Sequence, residues 1–179
     1  MIFIYNCYAG THSSSLASAI HLKKLPEDRM PTKEEILNTD YFDKLKCEDI
    51  GRVIYRGTDD EGNKVYSMGR GSSKLVVPCI ANVIHVLCDE YGFKEKVIFS
   101  NMNPGIPLAM MVGGFVSRRF GLKSIGTPFL VMGAKQAYHK IVKIVHETRK
   151  SAKASNNHVL ILTNENVLDE KCQKDQSTR

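Results

Sequence analysis

Residues 7–15, CYAGTHSSS, bring a thiol, a glycine, an imidazole and four aliphatic hydroxyls into one short segment near the amino terminus. That mixture suits an anion. Gly10 lets the backbone approach a phosphate with no side chain in the way, and Thr11, Ser13, Ser14 and Ser15 add hydroxyl donors. Cys7 stands at the mouth of such a cradle as a candidate nucleophile that accepts a phosphoryl group; the competing reading is a thiol simply buried at a strand end. His12 is a candidate for pairing with the anion or moving protons near neutral pH. His21, two turns further on, reads as a packing or surface residue.

Other candidates lie further along the chain. Arg70 sits between two glycines in GRGSS, where it either clamps a phosphate in bidentate fashion or decorates an exposed turn. Arg118 and Arg119 fall at a helix carboxyl terminus, where cations suit the dipole, so their expected role is structural. Asn103 and Pro104 read as the N-cap and first residue of a helix. Asp40 and Asp43 are the nearest acidic candidates, though DYFDKL also fits a turn with a solvated face. The five cysteines, Cys7, Cys47, Cys79, Cys88 and Cys172, lack paired short spacing, and the six histidines are dispersed. Neither a disulfide framework nor a structural metal is expected, and no cofactor is identified.

These residues must be positioned by alternating strands and helices. IFIYN (2–6) predicts a strand, and LASAIHLKKL (16–25) continues into a helix that Pro26 ends. PTKEEIL predicts a short helix with Thr32 as N-cap and Glu35 completing a capping box. Residues 52–56 and 64–68 flank GTDDEGN and predict an antiparallel hairpin. A helix follows from about Pro78 to Tyr91, with Ile80, Ala81, Ile84 and Leu87 or Cys88 on one face. KVIFS (96–100) predicts a strand. An apolar helix from Pro104 to about Phe120 comes next, with Gly113 and Gly114 allowing close approach and its 108–116 run serving either the core or a subunit interface. A further strand near 128–132, a basic helix and an NHVLILT strand complete the pattern. The fold class is therefore α/β: three layers, a mainly parallel sheet with helices on both faces, right-handed crossovers and the hairpin as an antiparallel addition. Residues 1–168 form one domain, and 169–179 are expected to be a disordered polar tail.

Length and composition agree with one domain: 179 residues, 42% hydrophobic and 25% charged. No stretch is long and apolar enough for a membrane span, and no basic leader precedes IFIY, so the expected location is the cytoplasm. The net charge of +6 raises the question of nucleic acid. Residues 135–153 hold six Lys or Arg against Glu147 alone, but Ala134, Tyr138, Ile141 and Val145 recur at helical spacing and leave the cations on a solvated face. Nucleic acid is thus not the expected partner.

CYAGTHSSSL resembles the cysteine-containing phosphate loop of cellobiose-type IIB phosphotransferase components and, less closely, the loop of low-molecular-weight tyrosine phosphatases. The phosphatase arginine is missing: Ser13 stands six residues after Cys7. Against a P-loop nucleotidase, His12 stands where a lysine would precede the Ser or Thr, and the earlier glycine is absent. Over nearly its whole length the chain is similar to a family of unknown function from spore-forming Firmicutes, through CYAGTHSSSLASAIHLKKLP, GNKVYSMGRG and GGFVSRRFGLKSIGTPFLVMGAKQAYHKIV. That resemblance implies one fold and no activity.

Two functions follow as expectations. In the first, the chain binds a phosphorylated small molecule or nucleotide through residues 7–15 and Arg70, and catalyses phosphoryl transfer or phosphoester processing with Cys7 or His12. In the second it is a non-catalytic regulatory module, associated with sporulation.

Overall fold

The computed structural model describes residues 1–104, 106, 107, 109, 110, 113 and 123–165. Ile2–Cys7 form β1, the central strand of a five-stranded sheet in the order β2-β3-β1-β4-β5. β3 (Lys64–Gly69) and β4 (Val97–Asn101) run parallel to β1 on either side, and β5 (Val159–Leu162) runs parallel to β4. β2 (Val53–Thr58) pairs antiparallel with β3, as the GTDDEGN reversal predicts. The Asp59 carboxylate ties that reversal by accepting from the Glu61 and Asn63 amides at 2.9 and 2.8 Å.

Alternation along β1 divides the core. Phe3, Tyr5 and Cys7 belong to one apolar cluster, with α1 (Ser13–His21), Ile36 of α2 (Lys33–Asn38) and α4 (Lys123–Ala154). Ile4, Met68 and Phe99 belong to the other, beneath α3 (Val76–Tyr91). Both faces of a mainly parallel sheet therefore carry helices, the three-layer α/β arrangement.

The short helix α2 begins as its sequence dictates: the Glu35 amide donates to Thr32 Oγ1 at 3.2 Å, and the Thr32 amide donates to Glu35 Oε2 at 2.7 Å. α3 starts two residues before Pro78 and ends at Gly92, whose φ of 64° makes the left-handed cap. Val77, Ala81 and Ile84 are its buried face.

Three expectations need correction. α1 covers residues 13–21 and not 16–25, so the serines lie inside the helix. It closes with Lys23 at φ 55°, the Lys24 amide reaching Ala19 O at 2.8 Å and the Lys23 amide reaching Ile20 O at 2.9 Å. This is the usual glycine closure made with lysine, so composition did not mark it. Next, residues 128–132 are not a strand. They lie within α4, Pro128 included, because Leu130, Ala134, Ala137, Tyr138, Ile141 and Val145 line one buried stripe while Phe129 and Met132 face solvent. The apolar run FLVM between Pro128 and Gly133 carries no period of its own.

Lastly, Pro104 does not open the following helix: Ile106 and Pro107 are non-helical, and helical backbone is described at Ala109, Met110 and Gly113. The remainder of that predicted helix, with Gly114, Arg118 and Arg119, lies outside the described residues, as do Cys172 and the polar tail. Gly113 does permit close approach, since a Cβ there would lie 2.7 Å from Leu130 N; Gly133 does the same for Met110 N at 2.5 Å. No described helix is long and apolar enough to cross a membrane.

Candidate functional site

β1 delivers Cys7 to the carboxyl-terminal edge of the sheet, and the chain after it turns through Tyr8–His12 into α1. β3 ends beside it at Gly69. α1 lies on one face of the sheet and α3, which follows β3, on the other, so the two strands part company here. Such a switch point is where open α/β sheets form ligand crevices. The two loops are joined by their backbones: the Arg70 amide donates to Cys7 O and the Gly71 amide to Tyr8 O, both at 2.9 Å.

Gly10 and Gly69 are explained by this junction. Gly10 has φ 75°, and a Cβ on it would lie 2.5 Å from Gly69 N; a Cβ on Gly69 would lie 2.8 Å from the Ala9 carbonyl. Both glycines thus serve loop-to-loop packing, and the space before Gly10 Cα holds Gly69.

The loop's polar groups are buried, and most of them are committed within the protein. Cys7 is 3% exposed, its Sγ accepting from the Gly10 amide at 3.1 Å and sharing a 3.2 Å hydrogen bond with Ser14 Oγ. Thr11 Oγ1 donates to Tyr41 O and accepts from the Lys44 and Leu45 amides at 3.1 and 3.3 Å, fastening residues 41–45 to the loop. His12 Nε2 bonds Asp43 Oδ1 at 3.2 Å, and its ring meets Phe42 edge-on. Asp43 is therefore brought to the loop, whereas Asp40 pairs with Lys24 at 2.9 Å. Ser13 Oγ is buried without a partner, and the Ser13, Ser14 and Ser15 amides of the first helical turn have no acceptor among the described residues. Arg70 is half-buried; its Nη1 donates to Ser73 O at 2.9 Å, which leaves the rest of the guanidinium without a partner among the described residues. Tyr8 alone in the loop is well exposed, and its amide donates to Asn103 Oδ1 at 3.0 Å. Asn103 thus holds this loop and does not cap a helix.

Arg56, which the sequence did not single out, is the buried cation behind the loop. Nε donates to Ser67 Oγ at 2.7 Å, Nη1 to Asp40 O at 2.6 Å and Nη2 to Ser15 Oγ, and the guanidinium lies 4.8 Å from the Tyr41 ring centre. Burial lowers its pKa to about 10, opposed by Asp40, Tyr41 and Cys7. Its signal in the sequence was only an arginine alternating with apolar residues in a strand, which ordinarily means a solvated face.

His21 is fully buried, not a surface residue. It bonds Tyr5 Oη through Nδ1 at 2.7 Å and Asp59 Oδ2 through Nε2 at 3.0 Å. Burial lowers its pKa, with the Asp59 hydrogen bond opposing. Burial raises the Tyr5 pKa. Asp59 is held at about 2: burial would raise it, but hydrogen bonds from Asn63, His21 and Glu61 outweigh that. This network lies at the opposite edge of the sheet from Cys7, beside the hairpin reversal, and is separate from the candidate site. Among the described residues no three His, Cys, Asp or Glu side chains gather as a metal site would require.

A family model described as "Protein of unknown function (DUF3189)" matches residues 2–150. No curated protein and no solved structure matches the chain.

Proposed function

The chain belongs to the DUF3189 family, and we propose that it binds a phosphate-bearing small molecule or nucleotide at the carboxyl-terminal edge of β1 and β3. The observation that carries this reading is the first turn of α1. Three amides without acceptors stand together there with the buried, unpartnered Ser13 Oγ, and a helix amino terminus adds partial positive charge. An anion is the partner that such donors lack. Arg70, tied by its own backbone to Cys7 O, supplies the neighbouring charge and keeps free guanidinium donors for a second oxygen. Gly10 contributes by fixing the turn, Thr11 and His12 by anchoring it to residues 41–45, and Ser15 through Arg56.

A binding role is favoured over phosphoryl transfer because the Cys7 sulfur is enclosed and already met by Gly10 and Ser14 donors. Titration with inorganic phosphate, nucleotides and sugar phosphates, read by thermal unfolding, tests the reading. A ligand at about 100 times its dissociation constant adds about 2.7 kcal/mol. Arg70→Lys should weaken the binding found about tenfold, since lysine keeps the charge but loses the planar fork. Cys7→Ser should leave binding intact. An absence of stabilisation by all three ligand classes would defeat the proposal.

A further inference from the structure

The two faces of the sheet are unequally covered. One lies under α1, α2 and α4, whereas α3 is the helix described on the other. Strand register shows what α3 leaves bare. Val53 and Tyr55 of β2 stand opposite Met68 and Tyr66, and Ile161 of β5 stands opposite Phe99, so all three belong to the α3 face. All three are exposed. α3 itself turns Val83, Val86 and Tyr91 outward, at 58, 54 and 79% exposure, and Leu75, just before its first residue, is 70% exposed. Cys79, Val83, Val86 and Glu90 follow the 4-3-4 spacing of a helix seam.

The charges on this helix are also placed for a partner. Asp89 and Glu90 are exposed in its last turn, where carboxylates oppose the dipole, and no basic residue accompanies them. Lys74 is exposed just before its first turn, and none of the three forms an ion pair among the described residues.

We propose that the α3 face is an interface between two copies of this chain, α3 lying antiparallel to the partner's α3 about a two-fold axis near Val83. That arrangement is self-complementary, as a two-fold contact must be. It sets the Cys79–Val86 seam against itself and brings Asp89 and Glu90 to the partner's Lys74 and to the positive end of the partner's α3.

Analytical ultracentrifugation of the full chain over a range of concentrations tests this. The expected result is a monomer–dimer equilibrium. Val83→Asp and Val86→Asp should each raise its dissociation constant at least about tenfold, because a carboxylate would be desolvated in the seam, with circular dichroism unchanged. Glu90→Lys should raise it roughly threefold, and adding Lys74→Glu should restore it, because the pair is exchanged and not lost. A chain that stays monomeric at every concentration overturns the proposal and leaves the face to a different protein. A dimer that survives Val83→Asp overturns it as well, and failure of the charge exchange to restore association overturns the antiparallel geometry.

Discussion

At the scale of single residues, buried polar side chains carry the main consequences. His21 is packed between Asp59, at Nε2, and Tyr5, at Nδ1, and burial disfavours its charged form. Its folded pKa lies below the unfolded value near ~6.5, so the unfolded chain takes up the proton first. The corresponding stability is complete above about pH 6.5 and is lost as pH falls from there towards the folded pKa. Asp59 acts in a lower window, its contribution being lost as pH falls from the ordinary carboxylate range towards about 2. Urea unfolding at pH 7.5 and 5.5 should therefore show a loss of stability in the acid sample that is smaller in His21→Gln; equal losses would remove His21 from the effect. Arg56 gives a second test. Arg56→Lys keeps the charge but cannot reach Ser15, Ser67 and Asp40 O together, and should cost about 2 kcal/mol or more in the same assay.

Among elements, junctions decide more than the helices and strands themselves. The loop of residues 8–12 and the end of β3 meet backbone to backbone at Gly10 and Gly69, and Gly10 also needs a positive φ. Gly10→Ala should lower unfolding stability by more than about 2 kcal/mol, because it adds left-handed strain to an overlap with backbone that cannot swing aside. Gly62→Ala, in the hairpin reversal with a positive φ but open space around it, should cost only the strain, about 1 kcal/mol. Comparable losses in the two variants, compared by equilibrium denaturation, would refute the packing account. The Thr32 capping box offers a smaller effect: Thr32→Ala should cost about 1 kcal/mol.

For the molecule as a whole, the order of strands fixes what is protected. β1 lies in the middle, paired on both sides and covered on both faces, whereas β2 is an edge strand with Val53 and Tyr55 exposed. Hydrogen exchange should be slowest in β1, intermediate in its neighbours β3 and β4, and fastest in β2. α4 ties distant parts of the chain together, Tyr138 Oη donating to Pro26 O at 2.5 Å and Ser100 Oγ bonding Thr148 Oγ1 at 2.8 Å. A β2 protected as strongly as β1 in the dilute chain would show that the sheet is covered differently from this description.

The sequence alone determined what depends on neighbouring residues. β1 and the turn after it were legible from IFIYN and CYAGTHSSS, the capping box from Thr32 and Glu35, the hairpin from GTDDEGN, and the α/β class from the alternation of periods. The tertiary structure decided what depends on residues far apart in the chain. Leu130 and Ala134 declare a helix only once α1, Met110 and Gly113 are packed along the same stripe, so the FLVM run read as a strand. Gly10 looked like room for an anion until Gly69 was seen in that space. His21 and Arg56 looked ordinary because their partners, Tyr5 with Asp59 and Ser15 with Ser67, lie 11 to 41 residues away. Burial and charge pairing arise only when the folded chain brings such residues together, and no local pattern encodes them.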